Sequence, residues 1–328
     1  IADTPVRVTQ SDGTAAASGL LPGTITALSP TSVTVTTASD DLILSGLTDL
    51  DGLPLDPTTL AKTGDRLLSP TEDESDRLSA THKACLRSEP HWRKALADLH
   101  PMALPLSTGT PDGDWSAQRI SVPHGVTPSQ ALAAILIWAQ RSSGEDRGDL
   151  ALSTEALQQI AKDGYITPWV PFQIHRQDTL GTLCDHIDHQ VTRLRDQGGF
   201  PRDLVLRDPA ISPIRTPAIG VSLNSADPVA GTQATVTLQN GQAKLHVHSG
   251  QLDVTATETL AQRLEATMYA VSQARPEQTL ADLAVMPASE RSRTLTDWNR
   301  TACDYDRALT SHQAFEAQVE RTPEAEAL

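Results

Sequence analysis

The sequence has few cysteines, few basic residues and no long apolar run, and each shortage narrows what the protein can be. Its three cysteines, Cys85, Cys184 and Cys303, are scattered and form no CxxC pair. A disulfide framework or a structural zinc site is therefore not expected, and a reducing cytoplasm fits this usage. Only 26 lysines and arginines stand against 41 acidic residues, a net charge of −15. A basic surface for nucleic acid or anionic membranes is not expected.

No stretch is long and apolar enough for a membrane span, and the first residues lack the basic and apolar regions of a signal peptide. A hydrophobic content of 38% over 328 residues is enough to build buried cores in one large domain or two smaller ones. The sequence begins and ends as if it were cut from a longer chain, and we expect it to be a piece of a larger protein.

Residues 1–70 have the pattern of a small β domain. Short runs rich in β-branched residues, at 24–28, 32–37 and 42–47, are separated by turn residues. Pro57 begins one predicted helical turn, and Gly64 closes it.

Residues 70–76 are acidic and polar and are predicted to be a linker to a second, mixed region that extends to residue 285. In this region Thr127 and Pro128 begin a helix that is apolar on most faces and therefore predicted to be buried. Asn240-Gly241 is a hairpin signal. The other predicted elements are helices at 79–86, 89–96, 179–191 and 257–273, and strands at 119–123, 149–155, 169–174, 218–223, 233–238 and 243–248.

Three groups of side chains are candidates for chemical sites. His186 and His189 stand three apart on a predicted helix, with Asp185 and Asp188 beside them. A metal site can use that spacing, but no third ligand is evident and a solvated helix face is favoured. His246 and His248 share one face of a strand and could bind a metal, but polar residues on an edge strand are the commoner explanation. Cys184 is interpreted as inert core. No nucleophile elbow or phosphate loop is present.

The most specific stretch of the sequence runs from Leu295 to Pro323, LTDWNRTACDYDRALTSHQAFEAQVERTP. Residues 311–319 predict a short amphipathic helix with Phe315 and Val319 on one face and Pro323 at its end. The stretch resembles the linker between condensation and adenylation domains of nonribosomal peptide synthetases. The residues that match the linker pattern are Glu290, Arg291, Leu295, Trp298, Asn299, Thr301, Tyr305, His312, Phe315, Glu316, Gln318, Thr322, Pro323, Ala325, Ala327 and Leu328.

This resemblance implies that residues 286–328 lead to a downstream adenylation domain. Trp298, Asn299, Tyr305 and Phe315 are the expected interdomain anchors. No catalytic, cofactor-binding or metal-binding residue is assigned in this chain.

Residues 1–70 resemble the C-terminal barrel of methionyl-tRNA formyltransferases. The matching elements are Pro22-Gly23-Thr24-Ile25, a hairpin, Gly52-Leu53-Pro54-Leu55 and Gly64-Asp65-Arg66-Leu67. The family's barrel helps to hold tRNA, but this segment has three basic residues against eight aspartates and would repel phosphates. The resemblance therefore implies the fold without the tRNA role.

Residues 71–285 resemble the C-terminal lobe of a condensation domain. The cues are Trp92, Leu96, Leu104 and Pro105, the buried helix, and the run FQIHR followed by TLGTL. Together the two resemblances imply an α+β protein: a formyltransferase-like β-barrel followed by one chloramphenicol-acetyltransferase-like lobe with a mixed sheet and helices. Condensation domains carry HHxxxDG, whose second histidine assists the attacking amine, and this sequence has no His-His pair. Asp112-Gly113 is interpreted as a turn.

The favoured hypothesis is a non-catalytic scaffold section of a peptide synthetase, located in the cytoplasm. Its expected partners are adenylation and carrier domains, the latter bearing phosphopantetheine, and an upstream formyltransferase or tailoring domain. Two alternatives stay open. One is residual acyl transfer with His175 or His246 as base, and the other is a docking platform for a tailoring enzyme, whose basic surface would suit this acidic chain.

Overall fold

The computed structural model describes residues 1, 4–14, 17–67, 69–107, 114–174, 177–211, 216–302, 304 and 310–325. The chain divides into two compact units, Ile1–Val285 and Met286–Leu328. Among the described residues, no helix combines the length and the apolar character needed to cross a bilayer.

The first unit begins with an antiparallel four-stranded sheet in the order β1-β4-β3-β2. Its own small core is formed by Ile25, Val33, Val35 and Leu47, which alternate along the strands as half-buried sheets require. The three strands predicted here are present, and β1 is additional. The strands are β1 (Arg7–Gly13), β2 (Ile25–Ser29), β3 (Ser32–Thr36) and β4 (Asp41–Thr48).

No closed barrel is found among the described residues, so the expected formyltransferase-like barrel is not shown. Strand β1 pairs with β4 and with no other described strand. At the opposite edge of the sheet, β2 is hydrogen-bonded by residues 64–67, for example from the Gly64 N–H to the Ile25 C=O at 2.8 Å. The two ends of the sheet therefore stay apart. The predicted helical turn is present as a short 3-10 turn at Pro57–Thr59, with the Asp56 carboxylate accepting from the Thr58 amide.

The predicted linker at 70–76 is wrong, because a long helix, α1 (Glu72–Ala97), begins there. Thr71 caps it, accepting from the Glu74 amide while the Glu74 carboxylate accepts from the Thr71 amide. Acidic side chains in a first helical turn stabilise the helix dipole, so the charge run that resembled a linker is a helix start. The helix continues through Pro90 and joins two segments that were predicted as separate helices.

The rest of the first unit is a six-stranded mixed sheet with helices, as predicted for this region. Asn240 and Gly241, with φ of 52° and 72°, form the predicted hairpin turn between β9 and β10. The strands are β5 (Trp115–Ile120), β6 (Gly148–Thr154), β7 (Val170–Ile174), β8 (Ile219–Leu223), β9 (Ala234–Gln239) and β10 (Gln242–His248). The helices are α2 (Pro128–Ser143), α3 (Glu155–Ile160), α4 (Leu180–Gln197), α5 (Leu204–Arg207) and α6 (Val254–Gln273).

The sheet order is β5-β10-β9-β8-β6-β7. Strands β6, β8 and β9 run parallel to their neighbours in that group, while the outer pairs are antiparallel. This order places β10 inside the sheet, between β5 and β9. The interpretation of His246 and His248 as edge-strand residues is therefore wrong.

Helix α2 is the centre of the large core, as its apolar sequence predicted. Its residues from Ala131 to Ala139 are all buried, and Trp138 donates its indole N–H to the Leu260 carbonyl of α6 at 3.0 Å. Thr127 caps the helix together with Gln130, and Gly144 ends it in the left-handed conformation. Burial on nearly all faces fixes α2 between α4, α6 and the sheet.

The small sheet meets the larger region at the loop after β4. Arg202 donates two hydrogen bonds to the Asp51 carboxylate, one from Nε at 3.2 Å and one from Nη2. Gly52 has a φ of 90°, and a Cβ there would lie 3.0 Å from a Leu206 methyl group. A glycine is needed because the backbone is left-handed and the neighbouring leucine is close.

The second unit contains α7 (Ala288–Ser292), a π-helical turn at Arg293–Asp297, and α8 (Ser311–Arg321). The predicted amphipathic helix is thus present and ends at Arg321. None of the described residues in α7, the π turn or α8 is buried.

Candidate functional site

The expected anchor Trp298 closes the π-helical turn of the second unit. Its amide donates to the Arg293 carbonyl at 2.9 Å, and the Arg293 guanidinium lies 5.6 Å from the centre of the indole ring. The side chain is 67% exposed. A cation over the ring face is a modest attraction that holds the indole against its own segment while leaving much of it open to solvent.

Asn299 completes this turn. Its side-chain amide donates to the carbonyls of Thr294 and Leu295, at 2.8 and 3.2 Å. These are carbonyls that a helix end leaves without an intrahelical partner, so Asn299 stabilises the end of the turn. Tyr305, the third expected anchor, lies outside the described residues.

The fourth expected anchor, Phe315, lies on α8. Gln313 accepts a hydrogen bond from the Thr310 amide at 3.0 Å, which fixes the start of the helix. Phe315 and Val319 are one turn apart and are 64% and 45% exposed. Two apolar side chains at i and i+4 form a single stripe, the arrangement by which a helix lays one face into a groove.

The candidate metal pair on α4 does not form a site among the described residues. His189 is exposed, and its Nδ1 lies 2.8 Å from the Asp185 carbonyl of the preceding turn. His186 is half-buried and contacts the Gln190 side chain. The part of the chain that the structure describes contains no group of three or more metal-ligating side chains. Cys184 is half-buried against the core, and burial raises the pKa of its thiol, as expected for an unreactive cysteine.

His246 is buried in the interior strand β10. Its Nε2 lies 3.1 Å from the Thr237 hydroxyl of β9. Burial, and secondarily Lys244, lower the pKa of His246, so its imidazole is neutral near pH 7. His248, two residues along the same face, stacks on Trp115 of β5 with ring centres 3.7 Å apart. The other candidate base, His175, lies outside the described residues.

Sequence reasoning missed a buried polar row that neighbours His246. Ser153, Ser222 and Thr237 stand in register on three adjacent strands, and all are buried. Gln158 of α3 donates to the Ser222 hydroxyl at 3.1 Å, and the Val229 amide donates to Thr235 at 3.1 Å. The alternation of threonines with apolar residues in β9 was the available signal, but it normally indicates a solvent-facing side of a sheet.

The hydroxyls of this row and the His246 imidazole can exchange hydrogen bonds, but all of them are buried away from solvent. A neutral imidazole beside a hydroxyl is the pairing used to activate a nucleophile, yet the geometry of a reaction also requires access for a substrate. His246 is only 7% exposed. Its position therefore favours a structural hydrogen bond over catalysis.

Sequence comparison connects the chain to peptide synthetases. One of the linear gramicidin synthase proteins from Brevibacillus parabrevis is 39% identical over 85 residues, which cover 26% of this chain and 2% of that protein. A second protein of the same synthase is 51% identical over 55 residues, covering 17% of this chain and 1% of that protein. A segment of this chain is therefore similar to nonribosomal peptide synthetases. The matched residues span only 1–2% of the length of these relatives.

A solved structure shares the fold of this chain. The crystal structure of a four-domain nonribosomal peptide synthetase bound to AMP and glycine aligns with a TM-score of 0.51 and 13% identity, covering 77% of this chain and 25% of that one. At this identity the likeness concerns the fold alone. No protein-family model matches the sequence.

Proposed function

We propose that this chain is a non-catalytic structural section of a nonribosomal peptide synthetase. In this role, residues 71–285 act as a truncated condensation-like lobe, and residues 286–328 connect it to a downstream adenylation domain. The section fixes the geometry between an upstream formyl- or acyl-modifying domain and the downstream adenylation and carrier domains. The protein is cytoplasmic in this proposal.

The observation that carries the proposal is the exposed stripe of Phe315 and Val319 on α8. It lies in the stretch that resembles a condensation–adenylation linker, within a chain related to peptide synthetases. Exposed large apolar side chains at helical spacing are typical of a surface that is covered by a partner. The adenylation domain is the partner that the resemblance implies.

A scaffold matters in such a synthetase because carrier domains move bound intermediates between sites. Phosphopantetheine on a neighbouring carrier domain would hold each intermediate, and no cofactor is assigned to the present chain. Tethering converts an encounter into an intramolecular event, whose effective concentration depends on linker length and on the geometry of the joined domains. A section that sets this geometry contributes to the rate of peptide synthesis without supplying a catalytic residue.

The absence of HHxxxDG from the sequence supports a role outside catalysis. His246 supports the alternative of residual acyl transfer through its neutral imidazole, although its burial does not. A docking platform for a tailoring enzyme is the other alternative, and the net charge of −15 favours a basic partner for it.

Replacing Phe315 by Ala tests the linker role. In the present chain Phe315 is 64% exposed, so the substitution should leave the melting temperature unchanged. In a longer chain that includes an adenylation domain, the same substitution should destabilise domain docking by about 1.5–3 kcal/mol, the value for burying a large apolar side chain. Glu320→Ala, on another face of α8, serves as the control.

Equal effects of Phe315→Ala in the short and long chains would contradict docking through α8. Thermal melts of both chains, together with proteolysis rates at the junction, provide the measurement.

Catalysis is tested with carrier proteins loaded with aminoacyl groups. The purified chain should form no peptide bond above background, and mass spectrometry of the carrier-bound products measures this. Turnover that disappears in His246→Ala would replace the scaffold function by acyl transfer.

A further inference from the structure

A cleft of about 330 Å³ lies between helices α1 and α4, against the β6–β7 edge of the large sheet. We refer to it as the α1–α4 cleft. Helix α1 contributes His91 and Lys94, and helix α4 contributes His186 and Arg193. The cleft is therefore lined by two cationic side chains and two imidazoles, in a protein whose net charge is −15.

The two cations of this cleft have no acidic partner among the described residues. The ion pairs of the described chain join other basic residues, including Arg93, Arg147, Arg202 and Arg207. His91 likewise has no hydrogen-bond partner there, and its only ring contact is with its neighbour Trp92, at 4.7 Å between centres. Burial lowers the pKa of the His91 imidazole, and the nearby Arg193 lowers it further.

The carboxylates that line the same cleft are already engaged. Asp98 accepts from Arg147 at 2.6 Å. Asp149 is buried and accepts from the His100 amide at 2.7 Å, and burial raises its pKa. Among the described residues, neither carboxylate forms an ion pair with Lys94 or Arg193, so both cations keep their hydrogen-bond donors for a ligand.

Trp92 supplies an independent observation at the inner wall. Its side chain is 0% exposed and lines the cleft. Its indole N–H is buried without a hydrogen-bond partner among the described residues. An unpaired buried donor is uncommon, since leaving one unsatisfied costs about 1–3 kcal/mol.

We propose that the α1–α4 cleft is a binding site for an oxyanion of a small molecule, either a phosphate or a carboxylate. A lysine and an arginine on facing helices supply the charge-assisted hydrogen bonds that both groups favour, and the guanidinium can bind two oxygens at once. A bound anion offsets the repulsion between Arg193 and the protonated imidazole of His91. The cleft lies within the first unit, and the proposal does not depend on the scaffold function.

The proposal has a pH dependence. The charged and titratable groups that face His91 in the cleft are Lys94 and Asp98 of α1, Asp149 of β6, and His186 and Arg193 of α4. A bound anion adds a negative charge near His91 and favours its protonated form, so its pKa rises on binding. By linkage, the anion binds more tightly as the pH falls through the histidine range.

The test measures binding of inorganic phosphate and of acetate to the full chain by isothermal titration calorimetry. Arg193→Gln and Lys94→Gln should each weaken the preferred anion about fivefold, as expected for the loss of one partly exposed charge pair. Arg195→Gln, on α4 but outside this cleft, and Lys83→Gln, on α1, are the matched controls and should change affinity by less than about twofold. Preference for phosphate over acetate, or the reverse, identifies the class of oxyanion.

A second measurement does not depend on the variants. Proton NMR of the parent chain should show that the saturating anion raises the pKa of His91, assigned by comparison with His91→Gln. Absence of saturable binding of either anion, equal weakening in the control variants, or an unchanged His91 titration would each overturn the proposal.

Discussion

At the scale of single residues, the most informative feature of this protein is how its buried charges are compensated. Asp208 is buried and receives a hydrogen bond from Arg93 and a second from the Ala210 amide at 3.0 Å. These two donors lower the pKa of its carboxyl, the Arg93 bond having the larger effect. Asp149 has one amide donor. The pKa of Asp149 rises because burial outweighs its hydrogen bond, and the pKa of Asp208 falls because its two donors outweigh burial.

The lowered pKa of Asp208 predicts a contribution to stability that acid removes. A carboxyl with a depressed folded pKa stabilises the fold fully above its ordinary pKa of 3.8, and this contribution is lost as the pH falls through the folded value. Asp208→Asn should therefore destabilise the chain at pH 6, with a difference from the parent that shrinks at pH 3 and below. Urea unfolding at each pH measures it.

Asp196→Asn is the control for this experiment, because Asp196 is exposed on α4 and forms no ion pair among the described residues. Its free energy of unfolding should equal that of the parent at both pH values. If Asp208→Asn lowers the free energy of unfolding equally at pH 6 and pH 3, packing and not charge is responsible for the effect.

At the scale of elements, capping residues decide where the helices begin. Thr71, Thr127 and Thr179 each cap a long helix of the first unit, together with a partner three residues later. Each box satisfies backbone donors that a helix start leaves unpaired. The box at Thr71 is the one that turns an acidic segment into the first turn of α1.

Thr71→Ala should therefore destabilise the first unit by about 1 kcal/mol, the usual cost of losing a threonine cap. Ser79→Ala, at an exposed position inside α1, should be neutral or slightly stabilising because alanine favours a helix interior. Chemical denaturation followed by circular dichroism compares the variants. If the stability of Thr71→Ala equals that of the parent, helix α1 does not depend on its capping residue.

The β9–β10 hairpin gives a second test at this scale. Gly241 has a φ of 72°, and a Cβ there would meet nothing within 4 Å. The cost of Gly241→Ala is therefore a backbone cost alone, about 1–2 kcal/mol for an L-residue in the left-handed region.

Gly13→Ala, at the end of β1, is the matched control, since its Cβ also meets nothing within 4 Å and its φ is not left-handed. Urea unfolding should separate the two variants by about 1 kcal/mol. Identical stabilities would mean that the turn has relaxed to another conformation.

At the scale of the whole molecule, the first unit combines a small and a large sheet that contact one another. The small core contains four buried residues, which is little for an independent fold. Arg202 and Leu206 contact the loop at Asp51 and Gly52, and a cleft of about 400 Å³ lies along this junction.

Removing the small sheet should expose part of the larger region. A chain of residues 69–328 leaves Arg202 without its partner Asp51 and uncovers Leu206, while α1 keeps its cap. We expect a lower unfolding midpoint and greater self-association than in the full chain, because newly exposed apolar surface favours aggregation. Thermal melts and light scattering measure both. A fragment that is monomeric and equally stable would show that the two parts are independent.

Most helices and strands were predictable because their signals are local. Thr127-Pro128 before an apolar run, Asn240-Gly241 between two strands, and Ser311–Val319 all appear as predicted, since caps, turn conformations and periodicity depend on neighbouring residues. The start of α1 was missed although its capping box is local, because a run of acidic residues also fits a linker. The resemblance to peptide synthetases was likewise readable from the sequence, and the comparison with known proteins finds the same similarity.

The sequence by itself determined most local elements, the acidic character of the chain and its similarity to peptide synthetases. Only the tertiary structure decided that the small sheet stays open, that β10 is an interior strand with His246 buried, and that His91, Lys94, His186 and Arg193 line one cleft. Strand order and the meeting of α1 with α4 depend on contacts between residues about a hundred positions apart. No local pattern encodes such contacts, because they follow from which buried faces pack together once the elements exist.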